Sequence, residues 1–493
     1  MPFVIIIIIL EYLSMSSVKI AISYSVITRF GIRLIGLIST MVVARLLTPD
    51  EIGTYAIASS VIMIAVEFRL LGAGNFLIRE KILNKDLVRS VLGLSILISW
   101  SLGLLILFVS SLFGKFYGLP ELQWIFAILS ISFFVSPYIS IPTALLSRNL
   151  SFKVQFHIRI ISSIIGLFFT LLLIRLDFGI LALAIGQSSI SISQFVLFIF
   201  IRPDGMSYLP SFFNIGRVAK FGIITSIALL FRKAYVTIPD LIIGKIGTTS
   251  DVGMFSRAIG FIEFVSQSIM MGIQPVALPY FSNTNKHDGD LINAYIKSSV
   301  LLGAIVIPIL GVASLASLPI IRLFFGDQWD SAAPAASWIA YWAIFRCIHW
   351  FSNDVLITTG KENLLLIKDA VPLILLAYLI FIAYPFGLER VGFMFFIVGI
   401  IEFTVTSIIL FFTIRLSFIQ FLKAWRSNLI VFVTCYLTTW AMGQVIPFHS
   451  IIAWKVVVVL LSIVPAVWLL SISISKNPLY YELRKIIINK RIF

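Results

Sequence analysis

Arginine and lysine are costly inside apolar sequence, and seven sit there: Arg29, Arg33, Arg69, Arg232, Lys233, Arg257 and Arg346. Four carboxylates, Glu67, Asp240, Glu263 and Glu402, share the same apolar stretches. At the centre of a membrane helix each such charge costs about 2.5–3.5 kcal/mol unless it faces protein or water, so each is a functional candidate. The balance is positive. A cationic, water-filled cavity selects an anionic ligand, and the planar guanidinium matches phosphate oxygens in a two-point contact. A site for organic cations needs the opposite sign.

Spacing sorts these residues into faces. Ser25, Arg29, Arg33, Gly36 and Thr40 recur at intervals of three and four, which puts two guanidiniums on one polar stripe of a helix. The competing reading is that both arginines snorkel to the headgroups. Arg232 and Lys233 are adjacent, with Asp240 one heptad beyond Lys233; they line a cavity or form an internal salt bridge to Asp240 or Glu263. Ser256, Gly260, Glu263, Gln267 and Gln274 form another stripe with Arg257 beside it, and Glu67 precedes Arg69 by two positions. Arg346, His349 and Asn353 share a face flanked by Trp338, Tyr341, Trp342 and Trp350. Aromatic rings beside cations suit a sugar face and a phosphate, and equally an interfacial belt. Glu67, Asp240, Glu263 and His349 are the candidates for carrying a coupling proton or sodium ion, because a carboxylate near arginines changes its proton affinity as a cavity opens. His349 serves equally well as a packed, hydrogen-bonding residue.

The elements that must position these groups are membrane helices. The chain has 493 residues, 60% hydrophobic and 12% charged, against roughly 45–50% and about 25% in soluble domains. A water-soluble fold is excluded. Apolar blocks fall at 21–43, 52–71, 91–113, 124–146, 160–176, 178–200, 221–243, 252–279, 298–321, 333–353, 364–385, 391–414, 428–446 and 451–474, which predicts about fourteen transmembrane helices. The net charge of +15 is spread over short connectors, so it argues for membrane topology and against nucleic acid. Arg79, Lys85, Arg89, Arg148, Lys153, Arg159, Arg202, Lys297, Lys361 and Lys368 crowd one set of connectors, whereas the alternate set holds about one cation each, such as Arg45, Lys115, Lys245 and Arg390. The positive-inside rule then puts both termini in the cytoplasm. Cys347 and Cys435 lie in apolar blocks and suggest neither a disulfide nor a metal site. The opening MPFVIIIIIL resembles a signal core without its basic start or cleavage site, and Met15 offers an alternative start.

A repeat organises the spans. ARLLTPDEIGTYAIASS from Ala44 aligns without gaps to GKIGTTSDVGMFSRAIG from Gly244, pairing Arg45 with Lys245, Thr48 with Thr248, Glu51 with Asp251, Gly53 with Gly253 and Tyr55 with Phe255. The copies lie six spans apart and so share an orientation, as two parallel halves would. The expected fold is all-α and polytopic, with two parallel six-helix bundles around a central cationic cavity and two further C-terminal helices. Its segments are a cytoplasmic N-terminus (1–20), a first bundle (21–202), a cytoplasmic linker (203–220), a second bundle (221–414), two additional spans (415–474) and a basic tail (475–493).

No connector exceeds about 20 residues, and the sequence has no GxxxxGK[ST], HExxH or paired-cysteine spacing. Neither an enzyme nor a resident cofactor is expected. The segments ARLLTPDEIGTYAIAS, LGAGNFLIREK, IPDLIIGKIGTTSDVGMFSRA and PVALPYFS resemble Wzx-type lipid-linked oligosaccharide flippases, which move O-antigen or capsule repeat units, within the multidrug/oligosaccharidyl-lipid/polysaccharide exporter superfamily. That resemblance implies a substrate of sugars on undecaprenyl diphosphate, alternating access in the bacterial inner membrane, and a polymerase and chain-length regulator as pathway partners. Competing readings are a cation-coupled drug exporter, which needs an acidic cavity, a teichoic-acid or capsule exporter, and a membrane polymerase, which needs a large outside loop.

Overall fold

In the computed structural model the described residues are 16–70, 73–80, 83–213, 215–270, 273–286 and 289–489; the opening stretch 1–14 lies outside them. Every regular element among them is helical. Contacts divide the chain into two compact units, one ending at Ser256 and one from Arg257 onward.

The first unit contains α1 (Ser16–Leu46), α2 (Pro49–Leu70), α3 (Ala73–Arg79), α4 (Lys85–Tyr117), α5 (Glu121–Val135), α6 (Pro137–Arg148), α7 (Phe152–Arg175), α8 (Leu181–Phe200), α9 (Ile215–Ile246) and the first turns of α10 (Thr249–Met270). Helix α7 packs on α8 and α1, α4 on α5, and α2 on α9. Small residues permit the closest approach: a Cβ on Gly186 would lie 1.8 Å from Thr170 Oγ1, and one on Gly166 would lie 2.2 Å from Ile190 Cγ1. The outer surface is apolar. Phe108 and Phe200 are 80% and 81% exposed, while Ser99, Ser130, Ser162 and Ser188 are buried, the arrangement expected where the solvent is lipid.

One expected span, 124–146, is broken. Pro137 has no N–H, so α5 ends at Val135 and α6 leaves it at 45°. The carbonyl that Pro137 leaves free, Phe133 O, accepts from Ser99 Oγ at 2.6 Å, and Phe134 O accepts from Trp100 Nε1 at 3.0 Å. Helix α4 therefore satisfies the backbone that α5 and α6 cannot satisfy themselves.

The two repeated turns form the same cap. Thr48 Oγ1 accepts from Glu51 N at 3.3 Å while Thr48 N donates to Glu51 Oε2 at 2.9 Å. Two hundred positions on, Thr248 Oγ1 accepts from Asp251 N at 3.1 Å and donates to Asp251 Oδ2 at 2.7 Å. The copies meet face to face. A Cβ on Gly53 would lie 1.7 Å from Thr249 O, one on Gly253 would lie 2.1 Å from Pro49 O, and Thr249 Oγ1 donates to Asp50 Oδ1.

The second unit holds the rest of α10, then α11 (Gln274–Lys286), α12 (Leu291–Leu315), α13 (Ser317–Phe325), a 3₁₀ turn, α14 (Ala333–Ile348), α15 (Ser352–Thr358), α16 (Asn363–Ala383), α17 (Leu388–Ile414), α18 (Phe418–Val445), α19 (Ala453–Ile474) and α20 (Pro478–Asn489). Helix α14 packs on α17 through Gly392 and Gly399, whose added Cβ atoms would meet Ala335 O at 2.8 Å and Trp342 Cα at 3.1 Å. Helices α18 and α19 dock on α12 by side chain-to-backbone bonds, Asn428 Nδ2 to Val300 O at 2.9 Å and Trp468 Nε1 to Ala304 O at 2.8 Å.

Among the described residues ten helices are long and apolar enough to cross a membrane, and the bent α5–α6 pair makes an eleventh, against about fourteen expected. The expected spans at 221–243, 252–279 and 333–353 are not in that set. The first two carry the ionisable candidates themselves, and α14 has only 16 residues before the chain breaks at Ile348.

The interlocked turns make a stability prediction. Gly53→Ala should lower the unfolding free energy by roughly 1–3 kcal/mol through overpacking. Gly260→Ala, where an added Cβ meets nothing within 4 Å, should leave it unchanged or slightly raised. Thermal melts of the two detergent-solubilised variants beside wild type check the contrast.

Candidate functional site

The first unit holds a half-open cavity of about 330 Å³. Arg69 near the end of α2 and Arg159 in the second turn of α7 enter its wall, together with Ser95 and Ser99 of α4, Ser132 of α5, Ser140, Thr143 and Ser147 of α6, and Ser191 and Gln194 of α8. The wall holds two guanidiniums and, among the described residues, no carboxylate. Arg69 reaches Ser132 O with Nη1 at 3.4 Å and lies 5.0 Å over the Phe133 ring, while its buried Nε has no acceptor. Arg159 makes no ion pair among the described residues, and its charged neighbour is Arg29, of the same sign.

Beside this cavity the expected charges divide into small groups. Glu67 is buried and attracted by both Lys233 and Arg69. Asp240 is buried and accepts from Ser60 Oγ at 2.9 Å, which ties α9 to α2. Arg29 is exposed on α1 and Arg33 half-buried four residues on; the Arg232 side chain lies outside the described residues.

In the second unit Arg346 and Glu263 pair at 3.1 Å, with side chains 14% and 18% exposed. Gln267 Nε2 donates to the other carboxylate oxygen at 3.1 Å, so the stripe read along α10 is a real face. The Arg346 guanidinium lies 4.9 Å over the Trp342 ring. Arg257 instead packs over Phe325 and Trp329 at 5.6 and 5.5 Å. His349 is locked: Nδ1 meets Tyr295 Oη at 2.7 Å, Nε2 meets Ser407 Oγ at 2.8 Å, and Phe403 and Phe421 stack on the ring. Arg29, Arg33, Arg69 and Lys233 belong to the first unit, and Arg257 and Arg346 to the second.

A model of the family described as "Polysaccharide biosynthesis protein" matches residues 42–334. The chain belongs to this polysaccharide biosynthesis protein family. It is 24% identical over 330 residues to the succinoglycan biosynthesis transport protein ExoT of Rhizobium meliloti, a match that spans 65% of each chain. Among solved structures its fold is similar to lipid II flippase MurJ in an inward closed conformation, with a TM-score of 0.70 at 18% identity over 92% of this chain and 98% of the other. It is similar also to an inward-facing multidrug resistance MATE family transporter of the MOP superfamily, with a TM-score of 0.54 at 15% identity over 84% and 99%. The chain is therefore a multi-pass membrane protein with the fold of these transporters.

Two features of this family member escaped the sequence reading. Arg159, counted among connector cations, stands in the cavity wall; Gln155, Arg159 and Ser162 at intervals of four and three were the signal that α7 starts at Phe152. Lys368, also counted as a connector cation, is buried at 5% and bonded to buried Asp369. Both residues lie inside an apolar block, and Glu402, buried on α17, is in electrostatic reach of both and of Arg346.

Removing one partner of this half-buried, charge-assisted pair costs on the order of 1–3 kcal/mol. Glu263→Gln should therefore destabilise the protein by about that amount, and Glu263→Gln combined with Arg346→Met should recover most of the loss. A double-mutant cycle followed by chemical denaturation measures the coupling.

Proposed function

We propose that the chain is a flippase carrying undecaprenyl-diphosphate-linked oligosaccharide repeat units across the bacterial inner membrane by alternating access, for surface polysaccharide biosynthesis. The observation that carries this reading is the cavity wall of the first unit, with Arg69 and Arg159 and no carboxylate among the described residues. Inside a hydrocarbon slab such a wall is stable only when water or an anion fills it, and a diphosphate is an anion that guanidiniums grip in two-point contacts. Membership of a polysaccharide biosynthesis family selects a glycan carrier as that anion's source. A drug-cation exporter requires carboxylates in the same place.

Transport on this reading breaks no covalent bond and uses no resident cofactor. Its drive is a proton or sodium gradient, with Glu67, Asp240, Glu263 or His349 as the coupling group, or the substrate's own concentration difference. The basic connectors support a cytoplasmic position for both termini, and a polymerase and chain-length regulator of the same pathway are the partners of this reading.

The test is reconstitution of the full chain into liposomes loaded with an undecaprenyl-diphosphate oligosaccharide, with lectin binding to report its arrival in the outer leaflet. Wild type should expose the glycan, and Arg69→Gln with Arg159→Gln should slow exposure by about tenfold or more. A failure of wild type with every charged lipid-linked glycan, alongside export of a cationic dye, would replace the flippase by the drug exporter. In the same liposomes Glu67→Gln, Asp240→Asn and Glu263→Gln should remove gradient dependence at one position only; dependence retained in all three takes the carboxylates out of coupling.

A further inference from the structure

Helices α17 and α18 follow each other in the chain but pack on different neighbours, α17 on α14 and α16, and α18 on α12 and α19. A groove of about 350 Å³ lies between them, with His349 from the end of α14 in its wall. Phe403, Ile408, Phe411 and Phe412 of α17, Leu416 of the connector and Phe418 of α18 line it. Its polar residues are already occupied. Thr404 Oγ1 donates to Ile400 O at 2.8 Å, Ser407 Oγ and His349 Nε2 bond each other at 2.8 Å, and His349 Nδ1 is taken by Tyr295 Oη. The wall therefore offers hydrocarbon contacts, and exposed Ile408, Phe411, Phe412 and Phe418 open it to the bilayer.

Length and charge narrow the occupant. Along α17 the wall runs from Phe403 to Phe412, about 14 Å at the helical rise, or roughly half of a hydrocarbon core about 30 Å thick. At one end Phe403 meets Phe345 and Phe418, with ring centroids 5.9 and 6.3 Å away. At the other end exposed Arg415 caps α17 in the left-handed conformation (φ 56°), one position before Leu416, and exposed Lys423 and Arg426 follow on α18. Between Glu402 and Glu482 the sequence has no carboxylate. Basic residues beside a groove between membrane helices are the pattern that holds anionic headgroups. A groove one leaflet deep suits an acyl chain, whereas a long polyprenyl chain outruns it.

We propose that the α17–α18 groove retains an anionic glycerophospholipid, its acyl chain along Phe403–Phe412 and its phosphate at Arg415. The lipid fills the gap that the two helices leave and braces α18 against the rest of the second unit. The site lies wholly within that unit and does not rest on the flippase reading.

Native mass spectrometry of the full chain in detergent measures retention of phosphatidylglycerol and phosphatidylcholine with identical acyl chains, added at equal concentration. Wild type should hold phosphatidylglycerol about fivefold more tightly. Arg415→Asn, whose side chain tolerates the left-handed cap, should bring the two lipids to parity with the lipid-free melting curve unchanged, and Arg415→Lys should keep the preference. Ile408→Trp, on the exposed rim, should reduce phosphatidylglycerol retention by about fivefold or more by filling the groove. Equal retention of both lipids by wild type means annular lipid only and overturns the site, as does retention that either Arg415→Asn or Ile408→Trp leaves intact. Displacement of phosphatidylglycerol by equimolar undecaprenyl phosphate overturns the phospholipid in favour of a polyprenyl chain.

Discussion

The absence of water around a buried polar group is the constraint on which this structure depends. In hydrocarbon an unpaired carbonyl or charge has no solvent to fall back on, so each must find a protein partner or a reason to lack one. The carbonyl released at Pro137 finds Ser99, and Asn428 and Trp468 find the α12 backbone. Glu263 finds Arg346 and Gln267, and Lys368 finds Asp369. Arg69 Nε and Ser95 Oγ are two of several buried polar atoms without a hydrogen-bond partner among the described residues, and both belong to the wall of the first unit's cavity.

The same constraint explains why the repeat is visible where it is. Helix N-termini expose four unpaired N–H groups each, and a turn that two helices bury against each other must cap them locally. Thr48 with Glu51 and Thr248 with Asp251 do so with one geometry, and only glycine at positions 53 and 253 lets the capped ends touch. Cap and glycine are therefore coupled requirements, and they keep the two segments alike while the apolar residues around them vary freely.

Much of this was legible in the sequence because it depends on local spacing. Helical spans, the stripe of Glu263 and Gln267, and the paired turns all follow from intervals of three, four or two hundred positions counted along one chain. What was not legible depends on direction across helices. That Arg346 is the partner of Glu263, 83 positions away, is set by how α14 packs beside α10, and no spacing encodes it. Arg159 looks like a connector cation because α7 begins at Phe152, two turns before the apolar block at 160; Lys368 stands four residues inside its block, and its burial against Asp369 depends on how α16 packs. The break at Pro137 was readable as a proline, but its effect, two helices at 45° held by α4, needed the neighbour.

Membrane depth and polarity are usually treated as opposites, yet the first unit combines them by using hydroxyls on helices. A serine or threonine that bonds its own helix three or four residues back costs little in lipid, since its proton is satisfied without a second chain. It still turns an oxygen toward the cavity. Seven serines and threonines on α4, α5, α6 and α8, with Ser136 at the α5–α6 break, line the wall, so the unit builds a polar surface mostly from residues that are individually tolerable in hydrocarbon. Only the two arginines are expensive, and they are the two wall residues that give the cavity its sign. The electrostatic cost is thus concentrated in Arg69 and Arg159, while the serines and threonines of the wall add polar surface at little cost to folding.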